Sequence, residues 1–346
     1  MMFDKTFIFY FDPYHYDGTV LNATTSATSG TNDLSDEMKT YYSDYLIDIA
    51  SPLLVHDQFG QRHPIPRNGG KTIEFRKFSP LPKATTPLTE GVTPDGQALN
   101  VSVITATVQQ YGGWVKMTDM LQLTAIDNMM VQATELIGDQ AGRTLDTITR
   151  EVLNAGTNVQ YGDGTTRTAR NQLTATDKLT VPAIFRAVRT LKKNLARPID
   201  GSYVAIIHPD ISYDIMTSDE WIDVNKYSNA VNIFNGEIGK IGGCRFVETT
   251  EAKIWAKAGA TPGSGGGTAP DVYSTLFFGA NAYGVTEITG GGLEHITKQL
   301  GSAGTADPLN QVASVGWKAT KVAEILVQEY MLRVETCSTF SDGEAN

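Results

Sequence analysis

The sequence has little cysteine and little histidine. Only two of its 346 residues are cysteines, Cys244 and Cys337, and they lie far apart and in no CxxC pattern. Disulfide scaffolds and zinc modules need closely and regularly spaced cysteines, so the composition argues against both classes. The reducing cytosol is the compartment that this cysteine usage favours.

Basic residues and long apolar runs are also scarce. The chain has 28 Lys and Arg against 38 Asp and Glu, a formal net charge of −10, so any association with nucleic acid would have to be local or indirect. The aromatic run at the N-terminus is broken by Asp12 and Pro13 before it reaches the length of a signal peptide. No later segment approaches the roughly 20 apolar residues that a bilayer requires.

Motifs for nucleotides and metals fail on inspection. GEIGKIGG, residues 236–243, offers glycines and a lysine, but Phe234 and Ile241 occupy positions where a P-loop needs glycine and a hydroxyl side chain. Tight turns between short strands explain these glycines better. His56 and His63 are seven residues apart, which is not a one-face helical spacing, so they do not predict a metal site. No cofactor or metal is expected.

One tripeptide, His208-Pro209-Asp210, invites a catalytic interpretation. It matches the tripeptide by which J-domain co-chaperones stimulate their partner ATPase, but that motif sits between two helices, whereas this one follows the strand-like YVAII of residues 203–207. The favoured interpretation is a proline turn with Asp210 as the N-cap of a helix. The alternative is an α/β enzyme that uses His208 and Asp210.

A long hairpin is the most unusual feature that the sequence predicts. Alternating runs at residues 71–78 and 98–108 predict two strands, and they are separated by FSPLPKATTPLTEGVTPDGQ, residues 78–97, with four prolines. A finger of this kind has too little core of its own to be stable alone in water. The hairpin is therefore expected to lie on another surface.

Helical periodicity predicts the remaining framework. Ser35 is expected to cap a helix that ends at Pro52, after an extended arm of about 32 residues. From Thr124, apolar residues at steps of three or four predict a spine helix of roughly 30 residues that Gly156 stops. Thr180 begins another helix, whose predicted inward residues are Ile184, Ala187, Val188, Leu191 and Leu195.

The C-terminal third is expected to consist of strands. They are predicted at residues 276–278, 283–288 and 312–317, followed by a final alternating run from 325 to 334, and a flexible glycine-rich loop is predicted at 261–270.

Five charged residues near or on the hairpin are candidates for contact with other subunits. The basic side chains would meet acidic partners and the acidic side chains basic ones; the candidates are Arg76, Lys77, Lys83, Glu90 and Asp95. An ordinary solvated hairpin face is the alternative. The need of the hairpin for support favours intersubunit contact.

The order of these pieces resembles the major capsid protein of tailed bacteriophages. Several segments look like the subfamily typified by the N-four-like podoviruses, and the resemblance runs from about residue 34 to 335. It is carried by SDEMKTYY, LVHDQFGQ, KTIEFRKFSPLPKATTPLTEGVTPDG, QATELIGDQ, YVAIIHPDISYDI, GEIGKIGGCRFVETTEA and SVGWKATKVAEILVQEYMLRVE.

The resemblance implies an α+β fold of the HK-ninety-seven type with named parts. These are an N-terminal arm and helix (1–60), an extended-loop hairpin (61–118), a peripheral domain with the spine helix (119–179), an α/β axial domain (180–290), and returning strands with a C-terminal tail (291–346).

The resemblance also implies the function of a non-enzymatic shell subunit. Such proteins self-assemble as pentamers and hexamers into the icosahedral virion head around double-stranded DNA, and the hairpin lies across the neighbouring subunit. The implied partners are a portal protein, a separate scaffolding protein and a decoration protein, without a membrane, and assembly would occur in the host cytoplasm. A cellular encapsulin-type compartment shares this fold and is the nearest alternative.

Overall fold

The computed structural model describes residues 54–78, 81–87, 90–91, 93, 96–124, 129–218, 237–261, 268–302, 304 and 307–346. The predicted arm, the helix after Ser35 and most of the glycine-rich loop lie outside these residues.

The described part of the chain is a mixture of strands and helices. In chain order the strands are β1 (Gln61–Arg62), β2 (Thr72–Phe78), β3 (Val101–Thr107), β4 (Gln109–Thr118), β5 (Val159–Tyr161), β6 (Tyr203–Ile207), β7 (Glu237–Ile241), β8 (Cys244–Glu248), β9 (Ile254–Trp255), β10 (Val272–Phe278), β11 (Tyr283–Thr286), β12 (Glu294–Lys298), β13 (Val312–Ile325) and β14 (Met331–Thr336). The helices are α1 (Asp119–Thr124), α2 (Met129–Asn154), α3 (Val181–Lys193) and α4 (Pro209–Met216), with short 3-10 turns at Arg170–Gln172 and Gln328–Tyr330.

Two sheets carry the fold. The larger has seven strands in the order β5-β14-β10-β6-β8-β7, with β9 also paired to β10. The smaller is built around β13, which pairs with β4, β12 and β11, and β1 pairs with β11 in parallel. β2 and β3 form a separate antiparallel hairpin.

The seven-stranded sheet is buried on both faces. One face packs against α3 and α4, so Ala205 and Phe277 lie in one core with Ile184 and Ile215. The opposite face contributes to a second core with Leu153 at the end of α2 and residues of β11 and β13. Because neighbouring strand residues point to opposite faces, the YVAII run of β6 is apolar at every position and buried throughout.

The spine helix is confirmed, although its start differs from the prediction. α2 has 26 residues, about 39 Å at 1.5 Å per residue, and its apolar face packs on β13. The Gly156 amide donates to the carbonyl of Leu153 and closes the helix. Thr124 instead ends the short helix α1, which the sequence did not predict, and residues 125–128 lie outside the described residues.

Three local predictions were wrong. Leu195 is 81% exposed, because it takes a left-handed φ of 59° just after α3 and Ala196 is buried instead. His208, not Asp210, is the N-cap of α4, which begins at Pro209. The predicted final run is two strands, since the 3-10 turn at Gln328–Tyr330 separates β13 from β14.

The glycines at 242 and 243 form a tight turn, as the sequence predicts. They connect β7 to β8, and both have a positive backbone φ, 61° and 83°. Residues other than glycine rarely adopt such angles. Among the described helices, none has the length and apolar character that a membrane span requires.

Both cysteines are buried free thiols, and they supply a probe of unfolding. Burial raises the pKa of Cys244 well above its usual value and that of Cys337 to about 12. Since the thiolate is the nucleophile, we expect no iodoacetamide adduct on the native protein at pH 8 and two adducts after unfolding in urea. Intact-mass spectrometry measures this, and an adduct on the native protein would contradict the burial of the thiols.

Candidate intersubunit surface

The β2–β3 hairpin projects a tip that its own chain does not cover. Seven residue pairs join the strands, from Thr72 opposite Thr107 to Phe78 opposite Val101. All residues of 81–87 and 96–103 are exposed. Four of them are large and apolar, and they are 47–67% exposed: Leu81, Leu99, Val101 and Val103. The flanking strands therefore match the prediction, and the tip presents apolar surface to solvent.

The base of the hairpin, in contrast, rests on its own subunit. The Phe75 ring lies 5.9 Å from the His63 ring, edge to face, and a side chain at Gly284 of β11 would meet the Phe75 ring at 3.2 Å. A cleft of about 680 Å³ lies between the hairpin base and the body, lined in part by Ile104, Leu326 and Tyr330. The hairpin is thus held at one end and exposed at the other.

The five predicted contact residues are distributed along this hairpin. Arg76 and Lys77 are adjacent on β2 and point to opposite faces of the strand. Lys77 also forms an ion pair with Glu329, at 3.1 Å, within its own chain. Lys83 and Glu90 are exposed, and Asp95 lies outside the described residues. On β2, therefore, Arg76 and Lys77 lie on opposite faces rather than in one cluster.

A second exposed surface, which sequence reasoning missed, is centred on Trp114. This side chain is 67% exposed on the face of β4 that points away from α2. The register places Trp114 opposite Gly316 of β13, and Gly316 opposite Ile296 of β12. A shallow groove of about 370 Å³ lies beside the indole. The alternation in QQYGGWVKM of residues 109–117 was the signal for an outward-facing tryptophan.

A buried polar cluster fixes the segment that precedes β1. The His56 amide donates to Asp146 Oδ1 at 2.8 Å, and its Nδ1–H donates to Asp146 Oδ2 at 2.6 Å. The Thr149 hydroxyl and the Lys321 ammonium both donate to Asp57, and Lys321 also donates to the Leu145 carbonyl. All five side chains are buried. We refer to His56, Asp57, Asp146, Thr149 and Lys321 as the polar clasp.

The polar clasp joins three parts of the chain that are distant in sequence. His56 and Asp57 lie in the segment just before β1. Asp146 and Thr149 lie on α2, and Lys321 lies on β13. The hydroxyl of Tyr283 on β11 also donates to the His56 carbonyl. Because the Lys321 ammonium is paired with Asp57 and the Asp146 carboxylate accepts two hydrogen bonds from His56, this arrangement holds the segment against the spine helix and the smaller sheet.

His208 and Asp210 have structural partners. The His208 Nδ1 accepts from the Asp210 amide at 3.3 Å, which caps α4, and its ring lies 5.3 Å from that of Tyr273. The Tyr273 hydroxyl donates to Asp210 Oδ2 at 2.6 Å. Desolvation lowers the pKa of His208, so its ring is neutral at pH 7 and free to accept. In the described ranges, no group of three or more His, Cys, Asp or Glu side chains could hold a metal ion.

Replacing His208 by alanine is expected to destabilise the subunit modestly. Loss of a side-chain cap costs about 0.5–2 kcal/mol of unfolding free energy, and His208→Asn should restore most of it because asparagine is a good cap. Urea denaturation measures both variants, and electron microscopy tests their assembly, which should be unchanged. A loss of assembly in a folded His208→Ala variant would contradict a purely capping role.

The sequence matches a model of the phage capsid protein family over residues 102–331. Comparison with curated proteins finds no significant match.

Solved capsid structures share the fold at low sequence identity. The capsid protein of Ralstonia phage GP4 is 16% identical, with a TM-score of 0.63 over 83% of this chain and 89% of that one. The capsid of Cyanophage Pam1 is 14% identical, with a TM-score of 0.61 over 81% of this chain and 88% of that one. The capsid of Cyanophage P-SCSP1u is 15% identical, with a TM-score of 0.58 over 81% of this chain and 87% of that one.

The family match and the fold agree with each other. The matched residues begin in β3 of the hairpin and end at the start of β14, so they include the spine helix and most of both sheets. The fold is that of the HK-ninety-seven-type capsid proteins, and the family is structural rather than enzymatic. The chain therefore belongs to the phage capsid protein family, and it is a major capsid protein whose copies form the shell of the phage head in the virion.

Proposed function

We propose that this subunit closes into pentamers and hexamers, and that the β2–β3 hairpin of one subunit lies across its neighbour. The observation that carries this is the contrast along the hairpin, which is packed on its own body at Phe75 and exposed at every described tip residue. Exposed apolar side chains on a two-stranded finger favour burial against another surface. In a shell of identical subunits, that surface is supplied by another copy.

The groove beside Trp114 is the surface that we propose for the incoming hairpin. Proline-rich extended segments dock on exposed aromatic side chains, because their backbone is already ordered. The tip carries Pro82 directly after Leu81 and Pro87 further along, and Trp114 is 67% exposed on the face of β4 that points away from α2. The five charged residues proposed to contact the neighbour are Arg76, Lys77, Lys83, Glu90 and Asp95; Lys77 also forms an ion pair with Glu329 of its own chain.

The five parts of the subunit are proposed with the boundaries that the sequence suggests. They are the arm (1–60), the hairpin region (61–118), the peripheral domain (119–179), the axial domain (180–290) and the returning strands (291–346). Two pairings support the mixed character of the last part. β13 belongs to the smaller sheet with β4, whereas β14 pairs with β10 in the seven-stranded sheet.

The wider assembly is proposed in the same way. The icosahedral head would enclose double-stranded DNA and assemble in the host cytoplasm, with a portal protein, a separate scaffolding protein and a decoration protein as partners. The N-four-like subfamily remains the proposed affiliation. A phage head is favoured over an encapsulin-type compartment because the family match is to phage capsid proteins.

Assembly of the purified chain tests this proposal. The protein is expressed alone and together with a candidate scaffolding protein, and the products are measured by sedimentation velocity and negative-stain electron microscopy. We expect capsomers or closed shells in at least one of the two preparations. Monodisperse monomer in both would contradict the proposal.

A further inference from the structure

The exposed side of α3 concentrates positive charge in an otherwise acidic chain. The helix, VPAIFRAVRTLKK, contains four basic residues and no acidic one. Apart from Phe185, which is 52% exposed, its large apolar residues face the core. Arg189, Lys192 and Lys193 lie on the exposed side, and Arg186 is partly exposed. Arg197, which is also exposed, follows the helix. We call Arg189, Lys192, Lys193 and Arg197 the α3 basic face.

Cations of the α3 basic face have no acidic partners within the described part of the chain. Ion pairs there are instead made by other basic residues, namely Lys77, Arg143, Arg150, Arg167, Arg170, Lys178, Lys253, Lys318, Lys321 and Arg333. Two carboxylates near α3 are already engaged. Asp163 accepts from Thr165 and Thr166, and Glu329 pairs with Lys77.

Helix electrostatics explain only part of this pattern. Lys192 and Lys193 occupy the last turn, where cations interact favourably with the carbonyl end of the helix dipole. That effect falls off within one turn, so it does not account for Arg189. A run of cations that form no ion pair among the described residues, with no acidic residue between them, therefore points to an external anion.

We propose that the α3 basic face binds the phosphate backbone of double-stranded DNA, an inference that rests on the proposed enclosure of DNA by the shell. Along α3 the cations recur every three or four residues, about 5 Å apart at 1.5 Å per residue. A duplex carries one negative charge per about 1.7 Å of its axis, so such a row meets phosphates in any register. An acidic protein segment would need carboxylates at matching positions.

The overall charge of −10 determines how strong this contact is. The remaining surface repels DNA, which directs the duplex to the α3 basic face and limits the affinity there. Binding is therefore weak and lost at moderate salt, as suits DNA that must move into and out of a head.

A salt titration with matched variants tests the proposal. One variant is Arg189→Gln/Lys192→Gln, and the control is Lys257→Gln/Lys298→Gln, which removes two exposed cations outside the α3 basic face that also form no ion pair in the described ranges. Both changes make the net charge more negative by the same two units. The probe is a fluorescent 30-base-pair duplex, and anisotropy gives the association constant at several salt concentrations, beginning at low salt.

The expected result is a difference in slope. In a plot of log association constant against log salt concentration, the slope for the α3 variant should be less steep by about 1.8 than that for the unmodified protein, at about 0.9 per lost phosphate contact. The slope for the control variant should change little. Equal slopes for the two variants would overturn the proposal, as would no measurable binding by the unmodified protein. Polyglutamate that binds as tightly as DNA, with the same loss in the α3 variant, would assign the face to an acidic protein and also overturn it.

Shell formation is measured separately on the same two variants. Urea denaturation first establishes that both are folded. An α3 variant that forms normal shells but has lost its DNA slope supports the proposal. A folded α3 variant that no longer forms shells would overturn it and assign the face to subunit contact, leaving the capsid function intact.

Discussion

Deleting residues 80–95 from the hairpin should abolish shell formation and leave the subunit folded. The deletion keeps every β2–β3 pair, because these run only from Thr72 to Phe78 and from Val101 to Thr107. It removes a tip whose described residues are all exposed, so we expect the midpoint of urea denaturation to change little. Sedimentation velocity and electron microscopy should show subunits in place of shells.

A subtler variant distinguishes loss of contact from a change of length. Leu81→Ser/Leu99→Ser keeps all residues of the hairpin but removes two apolar side chains that are 51% and 67% exposed. Its control is Leu309→Ser, which removes another exposed leucine, 74% exposed, outside the hairpin. We expect weakened assembly only in the hairpin variant. Normal shells from both the deletion and the double variant would show that the tip does not hold subunits together.

Breaking the polar clasp should cause the largest loss of subunit stability. Asp57→Ala leaves the Lys321 ammonium buried without its carboxylate, since these side chains are only 9% and 6% exposed. Removal of one partner from a buried pair costs about 3–5 kcal/mol of unfolding free energy. The double variant Asp57→Ala/Lys321→Met should be more stable than Asp57→Ala alone, because no unpaired charge remains. Urea denaturation of the unmodified protein, Asp57→Ala, Lys321→Met and the double variant gives the coupling free energy.

An exposed pair of the same chemical type provides the control. Lys77 and Glu329 are 35% and 58% exposed, so Lys77→Ala should cost no more than about 1 kcal/mol. If Asp57→Ala were as mild as Lys77→Ala, the buried ammonium would have found another partner or water. That result would contradict a polar clasp that fixes the segment before β1.

Hydrophobic periodicity along the sequence predicted the strands of the hairpin and the two long helices. The period of two placed β2 and β3 within three residues of their observed ends, because one-sided burial requires alternation. The period of 3.6 identified α2 and α3 for the corresponding reason. The predicted ends of elements were less accurate. At Leu195 the chain leaves the helix through a left-handed residue, and hydrophobicity alone does not signal that.

The polar clasp and the α3 basic face could not be predicted from the sequence, for a different reason. His56 meets Asp146 across 90 residues, and Lys321 meets Asp57 across 264, so no local spacing links them. The lysines and arginines of α3 are visible in the sequence, but only the folded chain shows that Arg189, Lys192 and Lys193 form no ion pair among the described residues. The exposure of Trp114, in contrast, follows from strand alternation and could have been predicted.

Electron cryo-microscopy of the assembled shell tests the central claim most directly, because it shows where each hairpin lies. We expect density for residues 72–107 of one subunit to cross the adjacent subunit, with the proline-rich tip against the outer face of β4 near Trp114. A shell in which the tip contacts only its own subunit or solvent would contradict the proposal that the hairpin connects neighbouring subunits.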